Sequence, residues 1–364
     1  MTLDLAKVRA DVKIRGMDIG LFRGVWPLEG WDYRRKVTIT EQSGNDLTDY
    51  QVLVELDSSN FDFTHAQSNG EDIRFTDLVG NLLDYWIESW DAGAEEAKVW
   101  VKVPSIPSNG TTELYMYYGN PSASSESDGD AVFEFFDDFD GENLDLDKWE
   151  IIDSSGSYSV SESILTITAA EEQIETISQN VNNYSLFSGD FKVIMRVRGF
   201  VGQDVGSHSN FGLSYDSETG KPTSADVAYV DQKSDPTKDD ATDAIVYSYI
   251  DDLNGESNGG HRGNGFAVEK DDTSWTVDKT VNFDNSQYYI YKFIREGSTA
   301  RVYRDEDLQS EITSNVPDAN LGIMFCAQVY PGFTTTVNHY IDYVFACQYV
   351  SPEPSVSVGG EETP

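Results

Sequence analysis

The chain has 364 residues, 39% of them apolar and 12% aromatic, which is enough to build real cores and excludes wholesale disorder. Against 25 Lys and Arg stand 64 Asp and Glu, a net charge of -39. Phosphate contacts need a basic surface, so nucleic acid is excluded as a partner, and so is an anionic lipid face.

No apolar run in the sequence approaches the roughly 20 residues that span a bilayer, so no membrane insertion is expected. Charge is also unevenly spread: residues 1–36 carry +3, which leaves -42 for the rest. Within that leader Val8, Ala10, Val12 and Ile14 alternate with Arg9, Asp11, Lys13 and Arg15, the period of a half-buried strand. A basic strand ahead of an acidic body predicts a docking arm over residues 1–30. Val8, Arg9, Val12, Lys13 and Arg15 are its expected contacts, joining the sheet edge of another copy or of another acidic protein. No charged, then apolar, then small-residue export signal follows Met1.

From Trp31 the sequence becomes regular. Lys36–Thr40, Tyr50–Leu56, Ile73–Thr76, Leu83–Trp86, Lys98–Val103 and Glu113–Tyr118 read as short strands separated by Gly, Asn, Asp and Pro clusters. They predict a small antiparallel β-sandwich over residues 31–128, whose last stretch, Gly119–Asp130, has the composition of a linker. A longer β-rich region follows, with strands at Ile164–Thr168, Phe191–Val197, Phe211–Tyr215, Ala244–Tyr249 and Phe266–Val268. More come at Tyr288–Ile294, Ala300–Tyr303, Gly322–Val329 and Tyr340–Tyr349. No strongly periodic helix interrupts them, so a single sandwich over residues 129–353 is expected, with a mobile tail at 354–364. The fold class is all-β.

Two stretches resemble known families. Trp31-Asp32-Tyr33-Arg34, Asp84-Tyr85-Trp86-Ile87-Glu88-Ser89-Trp90, Val99-Trp100-Val101-Lys102-Val103-Pro104 and Tyr115-Met116-Tyr117-Tyr118-Gly119-Asn120 resemble an uncharacterised β-domain of archaeal and bacterial surface proteins. The resemblance implies an accessory sandwich with no known catalysis. Phe136-Asp137-Asp138-Phe139-Asp140-Gly141, Leu144–Trp149 and the closing Tyr340-Ile341-Asp342-Tyr343-Val344-Phe345 are similar to the concanavalin A-like lectin and glucanase superfamily, of the LamG-like kind. That implies a jelly roll with carbohydrate recognition on its concave sheet, or a structural role where that face has been lost.

Glycan cleavage on such a fold needs two carboxylates about 5–5.5 Å apart for retention. The laminarinase-type enzymes place them on one strand as Glu-x-Asp-x-x-Glu, and the nearest run here, Glu269–Ser274, ends in Ser. No catalytic residue is therefore assigned. The four His lack metal spacing, and Cys326 and Cys347 are either two buried thiols or a cross-strand disulfide. In the resembling superfamily a calcium sits on the convex face. Asp342 stands at the position that supplies a carboxylate there, with Asp138, Asp140 and Gly141 as companions, so Ca2+ is the one cofactor expected. Period two places Ile341, Tyr343, Phe345 and Cys347 on one side of that strand and Asp342 on the other; a plain solvent-facing acid is the alternative. For sugars, aromatic faces and planar polar groups are needed. The glycine-rich loop Asn258–Gly265 offers His261, Arg262 and Asn264, with Trp275, Tyr330 and Phe333 in further turns.

A charge of -39 is tolerable where salt screens it, since the Debye length falls to about 3 Å at 1 M. Salt-adapted chemistry, surface-type modules and the absence of an export signal together predict a non-catalytic virion surface protein of a haloarchaeal virus, a tail fibre or spike. It would dock on other virion proteins through the arm, hold a host glycan or glycoprotein, and assemble as a homo-oligomer. The alternatives are a haloarchaeal adhesin or filament subunit, and a polysaccharide-active enzyme whose site these motifs miss.

Overall fold

The computed structural model describes residues 26–199, 207–217, 219–222, 242–251, 262–270, 274–278, 287–329 and 334–364. The arm residues Val8, Arg9, Val12, Lys13 and Arg15 lie outside them.

The first unit contains β1 (Tyr33–Thr40), β2 (Leu47–Asp57), β3 (Arg74–Thr76), β4 (Leu82–Leu83), β5 (Tyr85–Asp91), β6 (Glu96–Ile106) and β7 (Thr111–Tyr118). The second contains β8 (Phe135–Asp137), β9 (Trp149–Ser154), β10 (Ser157–Ser161), β11 (Ile164–Ala169), β12 (Ile174–Gln179) and β13 (Phe191–Gly199). It continues with β14 (Ser207–Asp216), β15 (Thr242–Asp251), β16 (Arg262–Lys270), β17 (Ser274–Asp278) and β18 (Tyr289–Glu296). Its remaining strands are β19 (Thr299–Arg304), β20 (Asp307–Ile312), β21 (Gly322–Val329) and β22 (Val337–Gln348), and the chain closes on β23 (Ser355–Glu362).

These strands form four sheets. The first sandwich faces the order β23-β1-β7-β3-β4 against β2-β6-β5. Its core alternates as period two requires, with Val37 and Ile39 from one sheet meeting Val52, Val54, Val99 and Val101 from the other. The second is a two-sheet antiparallel jelly-roll sandwich. One sheet runs β10-β11-β22-β13-β18-β19-β20, with β8 also pairing β22; the other runs β17-β16-β15-β14-β21-β12-β9. Phe211, Tyr247, Phe266, Phe293 and Phe325 fill the space between them.

The expected mobile tail is instead β23, an edge strand of the first sandwich. It pairs antiparallel with β1, Ser355 opposite Thr40 and Glu362 opposite Arg34. Val356 and Val358 turn onto the first core, Arg34 Nη2 meets Glu362 at 2.8 Å, and the Tyr118 hydroxyl donates to Glu361 at 2.7 Å. Pro and Gly near the terminus masked the alternation of Ser355-Val356-Ser357-Val358, and the partner strand is more than 300 residues upstream. The first sandwich is thus built from both ends of the chain, with the second inserted between them.

The linker is likewise fastened. Gln67 Nε2 donates to the carbonyls of Asn120 and Ala123, and Arg74 Nη2 to that of Ser124 at 2.6 Å. Arg74 also meets Glu126 at 2.9 Å, and the Asp128 amide donates to the Tyr85 carbonyl. It is a strap on the first sandwich, ending in one helical turn, Gly129–Val132. Gly129 packs so close to the Phe136 ring that a Cβ there would come within 2.3 Å.

A third apolar cluster joins the sandwiches. Trp86 and Trp100, on the outer face of the three-stranded sheet, pack against Phe133, Phe136, Phe345 and Ile194. The layers therefore stack in the order five-stranded, three-stranded, eight-stranded and seven-stranded sheet, with an apolar seam at each contact.

Candidate functional site

The outermost layer, the seven-stranded sheet, turns one face away from the stack. Antiparallel register brings Thr176 of β12, Cys326 of β21 and Asn210 of β14 into one row on that face. The next row is Ser178, Met324, Gly212, Val246 and Ala267. These residues are buried, and Ala244, Val246, Ala267 and Met324 form a small apolar cluster of their own. Asn210 is 0% exposed, and neither its Oδ1 nor its Nδ2 finds a hydrogen-bond partner. A buried amide left in that state costs about 1–3 kcal/mol. The described side chains of these rows offer amide, hydroxyl, thiol and thioether groups.

One rim of this sheet gathers several of the expected sugar contacts. Val329, Ser207, Asp251 and Arg262 stand side by side across β21, β14, β15 and β16. The chain leaves β15 at Asp251 and re-enters β16 at Arg262, so these two residues flank the segment holding His261. Val329 immediately precedes the segment holding Tyr330 and Phe333. His261, Tyr330 and Phe333 themselves lie outside the described residues. Arg262 and Asn264, expected in an open loop, belong to β16, opposite Asp251 and Tyr249; ladder pairing with β15 extends the strand through a segment whose glycines read as loop. Trp275 is in β17, opposite Glu269, towards the other end of the sheet. The sequence's sugar set is therefore divided between the two ends.

The expected calcium set is not assembled. A β-bulge in the β13–β22 ladder leaves Asp342 as the extra residue, since Arg196 faces Tyr343 and Val197 faces Ile341. The bulge breaks the predicted alternation: Ile341 points into the second core, whereas Tyr343, Phe345 and Cys347 point to the seam between sandwiches. The Asp342 carboxylate is ion-paired with Arg196, whose guanidinium also lies 4.7 Å from the Tyr288 ring centre. Asp138 is half-buried, and burial first, then the charges of Asp140 and Asp137, push its carboxyl above the ordinary range. Asp140 and Gly141 are exposed. Among the described residues no group of three or more His, Cys, Asp or Glu gathers to hold a metal. The anchored acid of the opening motif is Asp137, which sequence reasoning missed. It accepts the Trp149 indole N–H at 2.6 Å and the Phe139 amide at 2.8 Å. Burial pushes its carboxyl up, against those two bonds. Cys326 and Cys347 are free, buried thiols in different sheets, and burial pushes Cys347 up to about 12.

A cleft of about 620 Å³ opens where the two sandwiches meet. Glu55 of β2 and Lys98 and Trp100 of β6 line one wall, Lys192, Ile290 and Lys292 the other. Val356 and Val358 of β23 close the side. Lys192 Nζ meets Glu353 at 2.5 Å and lies 5.2 Å from the Trp100 ring centre. Burial would lower its pKa, but Glu353 raises it, and the ammonium ends above its ordinary range. Glu306 is ion-paired with Lys292 and approaches Lys98 at 3.9 Å; burial raises its carboxyl, and those lysines bring it below the ordinary value. The Trp100 indole donates to Glu88 at 2.7 Å, and so does the Tyr343 hydroxyl at 2.8 Å.

A family described as "Domain of unknown function (DUF2341)" matches residues 69–152. No curated protein matches the chain in sequence. Among solved structures the chain is similar to LamAcat from Zobellia galactanivorans, with 15% identity, a TM-score of 0.40 and coverage of 59% of this chain and 97% of that one. It is similar to Bacillus licheniformis beta-glucanase at 12% identity and TM-score 0.41, covering 59% and 98%. A third is the Emp47p carbohydrate recognition domain, at 11% identity and TM-score 0.41, covering 60% and 96%. Among the described residues no helix is long and apolar enough to cross a membrane.

Proposed function

We propose that this chain is a non-catalytic attachment protein of a surface assembly working in high salt, a virion fibre or spike of a haloarchaeal virus, holding a host glycan or glycoprotein with its outermost sheet. The observation that carries this reading is the unpaired, fully buried Asn210 amide on that sheet's outer face, amid groups that can accept and donate hydrogen bonds but not relay a proton between carboxylates. Sugar hydroxyls are the partners such an amide suits. The stack supports the reading too, because two sandwiches welded face to face present the outer sheet rigidly, which suits holding. The same architecture would serve an adhesin or filament subunit on a haloarchaeal cell.

The test is binding of host surface glycans in 3 M KCl by the wild-type chain and by Asn210→Ala and Arg262→Ala/Asn264→Ala. Binding that these changes weaken, with no reducing sugar released, is expected. Steady release of reducing ends, abolished by a single carboxylate change, would replace this reading with a polysaccharide-cleaving one, and absence of any glycan binding would remove recognition from it.

A further inference from the structure

The cleft between the sandwiches is bounded by two open sheet edges. β2 ends the order β2-β6-β5 and β23 ends β23-β1-β7-β3-β4, so among the described residues neither has a partner on its outer side. Open edges present unpaired N–H and C=O groups to whatever lies beside them. Between them the cleft exposes an apolar strip, Val356, Val358 and Leu53, all half-buried. Its lining carries the carboxylates of Glu55, Asp57, Glu88, Glu306 and Glu353 against the three ammonium groups of Lys98, Lys192 and Lys292. Glu55 and Asp57 have no cation among the ion pairs of the described residues. The site calls for an extended segment, apolar on one side, cationic on the other.

The chain contains such a segment. Val8, Ala10, Val12 and Ile14 alternate with Arg9, Asp11, Lys13 and Arg15, and residues 7–15 carry four cations and one anion. We infer that the Val8–Arg15 segment of a second copy lies in this cleft as an added strand on the free edge of β23, its valines on the apolar strip and its cations towards Glu55 and Asp57. Main-chain hydrogen bonds to the edge would supply affinity, and the alternation would supply register. At molar salt only contact pairs escape screening, so the apolar side carries the affinity and the charges set direction. The contact is head-to-tail, one copy's arm on the next copy's body, and such contacts close into rings or run on as fibres. The inference deepens the attachment reading by naming the assembly partner as the chain itself.

Two measurements on the full chain in 3 M KCl test it. Sedimentation is expected to show concentration-dependent species above the mass of one chain. Val12→Asp should weaken that association at least about tenfold, because a carboxylate would enter the apolar strip unpaired, while the melting temperature of dilute protein stays in place. In the second, copies carrying Val12→Cys are mixed with copies carrying Ser357→Cys and treated with a short bismaleimide. The native thiols are 1% exposed, so the added ones react. A mixed covalent dimer that neither variant forms alone is expected. A one-chain mass at every concentration, unchanged association by Val12→Asp, or no mixed dimer would each overturn the inference. Glycan binding by Val12→Asp separates the two claims: retained binding without assembly sinks only this one, and assembly without glycan binding sinks only the recognition claim.

Discussion

Phe345 tests whether the two sandwiches behave as one body. Its side chain is 0% exposed and stands in the seam, with ring centres 4.2 Å from Phe133, 5.3 Å from Trp86 and 5.5 Å from Trp100. Removing a buried Phe side chain costs about 3–5 kcal/mol when the surroundings cannot collapse. Here they cannot, because Trp86 and Trp100 are held by strands of one sandwich and Phe133 and Phe136 flank the helical turn. A unit of 150–250 residues shifts about 2–4 °C per kcal/mol, so the change expected is roughly 6–20 °C. The seam carries the coupling, so Phe345→Ala should split the single calorimetric transition of the wild type in 3 M KCl into two. Val344→Ala is the control: the neighbouring side chain points into the second sandwich's own core and should lower a transition without splitting it. A Phe345→Ala protein that still melts in one step, within about 2 °C of wild type, would show that the seam is mere contact and refute the argument.

Glu41 gives a pH prediction. Burial raises its carboxyl, but Ser43, Asn109 and Gly44 donate to it and pull it down to about 2. A depressed acid contributes stability above its unfolded value, lost as pH falls from about 4.5 towards 2. The stability gap between wild type and Glu41→Gln in urea titrations should therefore be widest at neutral pH and close by pH 2. Asp137→Ala would leave the Trp149 indole and Phe139 amide donors unpaired in a buried site, costing roughly 2–6 kcal/mol at about 1–3 for each, read as a lower urea midpoint. Deleting Ser355–Pro364 uncovers Val37 and Ile39 at the new edge, and should lower the first sandwich's transition and make β1 sensitive to protease. Chloride concentration is the last lever: with a net charge of -39, the melting temperature should climb steeply between 0.1 and 3 M KCl as the Debye length shrinks from about 10 Å to under 3 Å.

Strand positions were legible because period-two alternation survives wherever one face is buried, as in Val52-Leu53-Val54 and Val99-Trp100-Val101. Stacking was not. Leu53 and Trp100 read as ordinary strand residues with a solvent-facing side, and only the second sandwich, folded 30 to 250 residues later in sequence, makes that side an interior. Asp342 failed for a related reason, because a bulge is a disagreement between two strands and cannot be read from one of them. The sheet face holding Asn210 was invisible because Asn, Gly, Ser, Ala and Met at alternate positions carry no signature until register lays them in rows. β17 and β10 were missed because short polar edge strands depend on their neighbours' ladders more than on their own residues.

The placement of scarce cations ties the fold to its use. Arg34 and Arg35 clasp β23 through Glu362 and the Gly359 carbonyl, and Lys192 holds Glu353 just before that strand. Lys98 of one sandwich and Lys292 of the other converge on Glu306, while Arg74 and Lys102 hold the strap through Ser124 and Ala131. In a chain with 25 cations and 64 acids, positive groups thus gather where one piece of the fold joins another. Exposed pairs contribute at most about 1 kcal/mol each, and less in salt. They cannot carry the joints, so they serve to orient them, and the energy falls to the Trp86–Trp100–Phe345 seam, which excluded salts strengthen. A protein whose joints tighten under the conditions that screen its surface is suited to transmitting force between an assembly and what it grips.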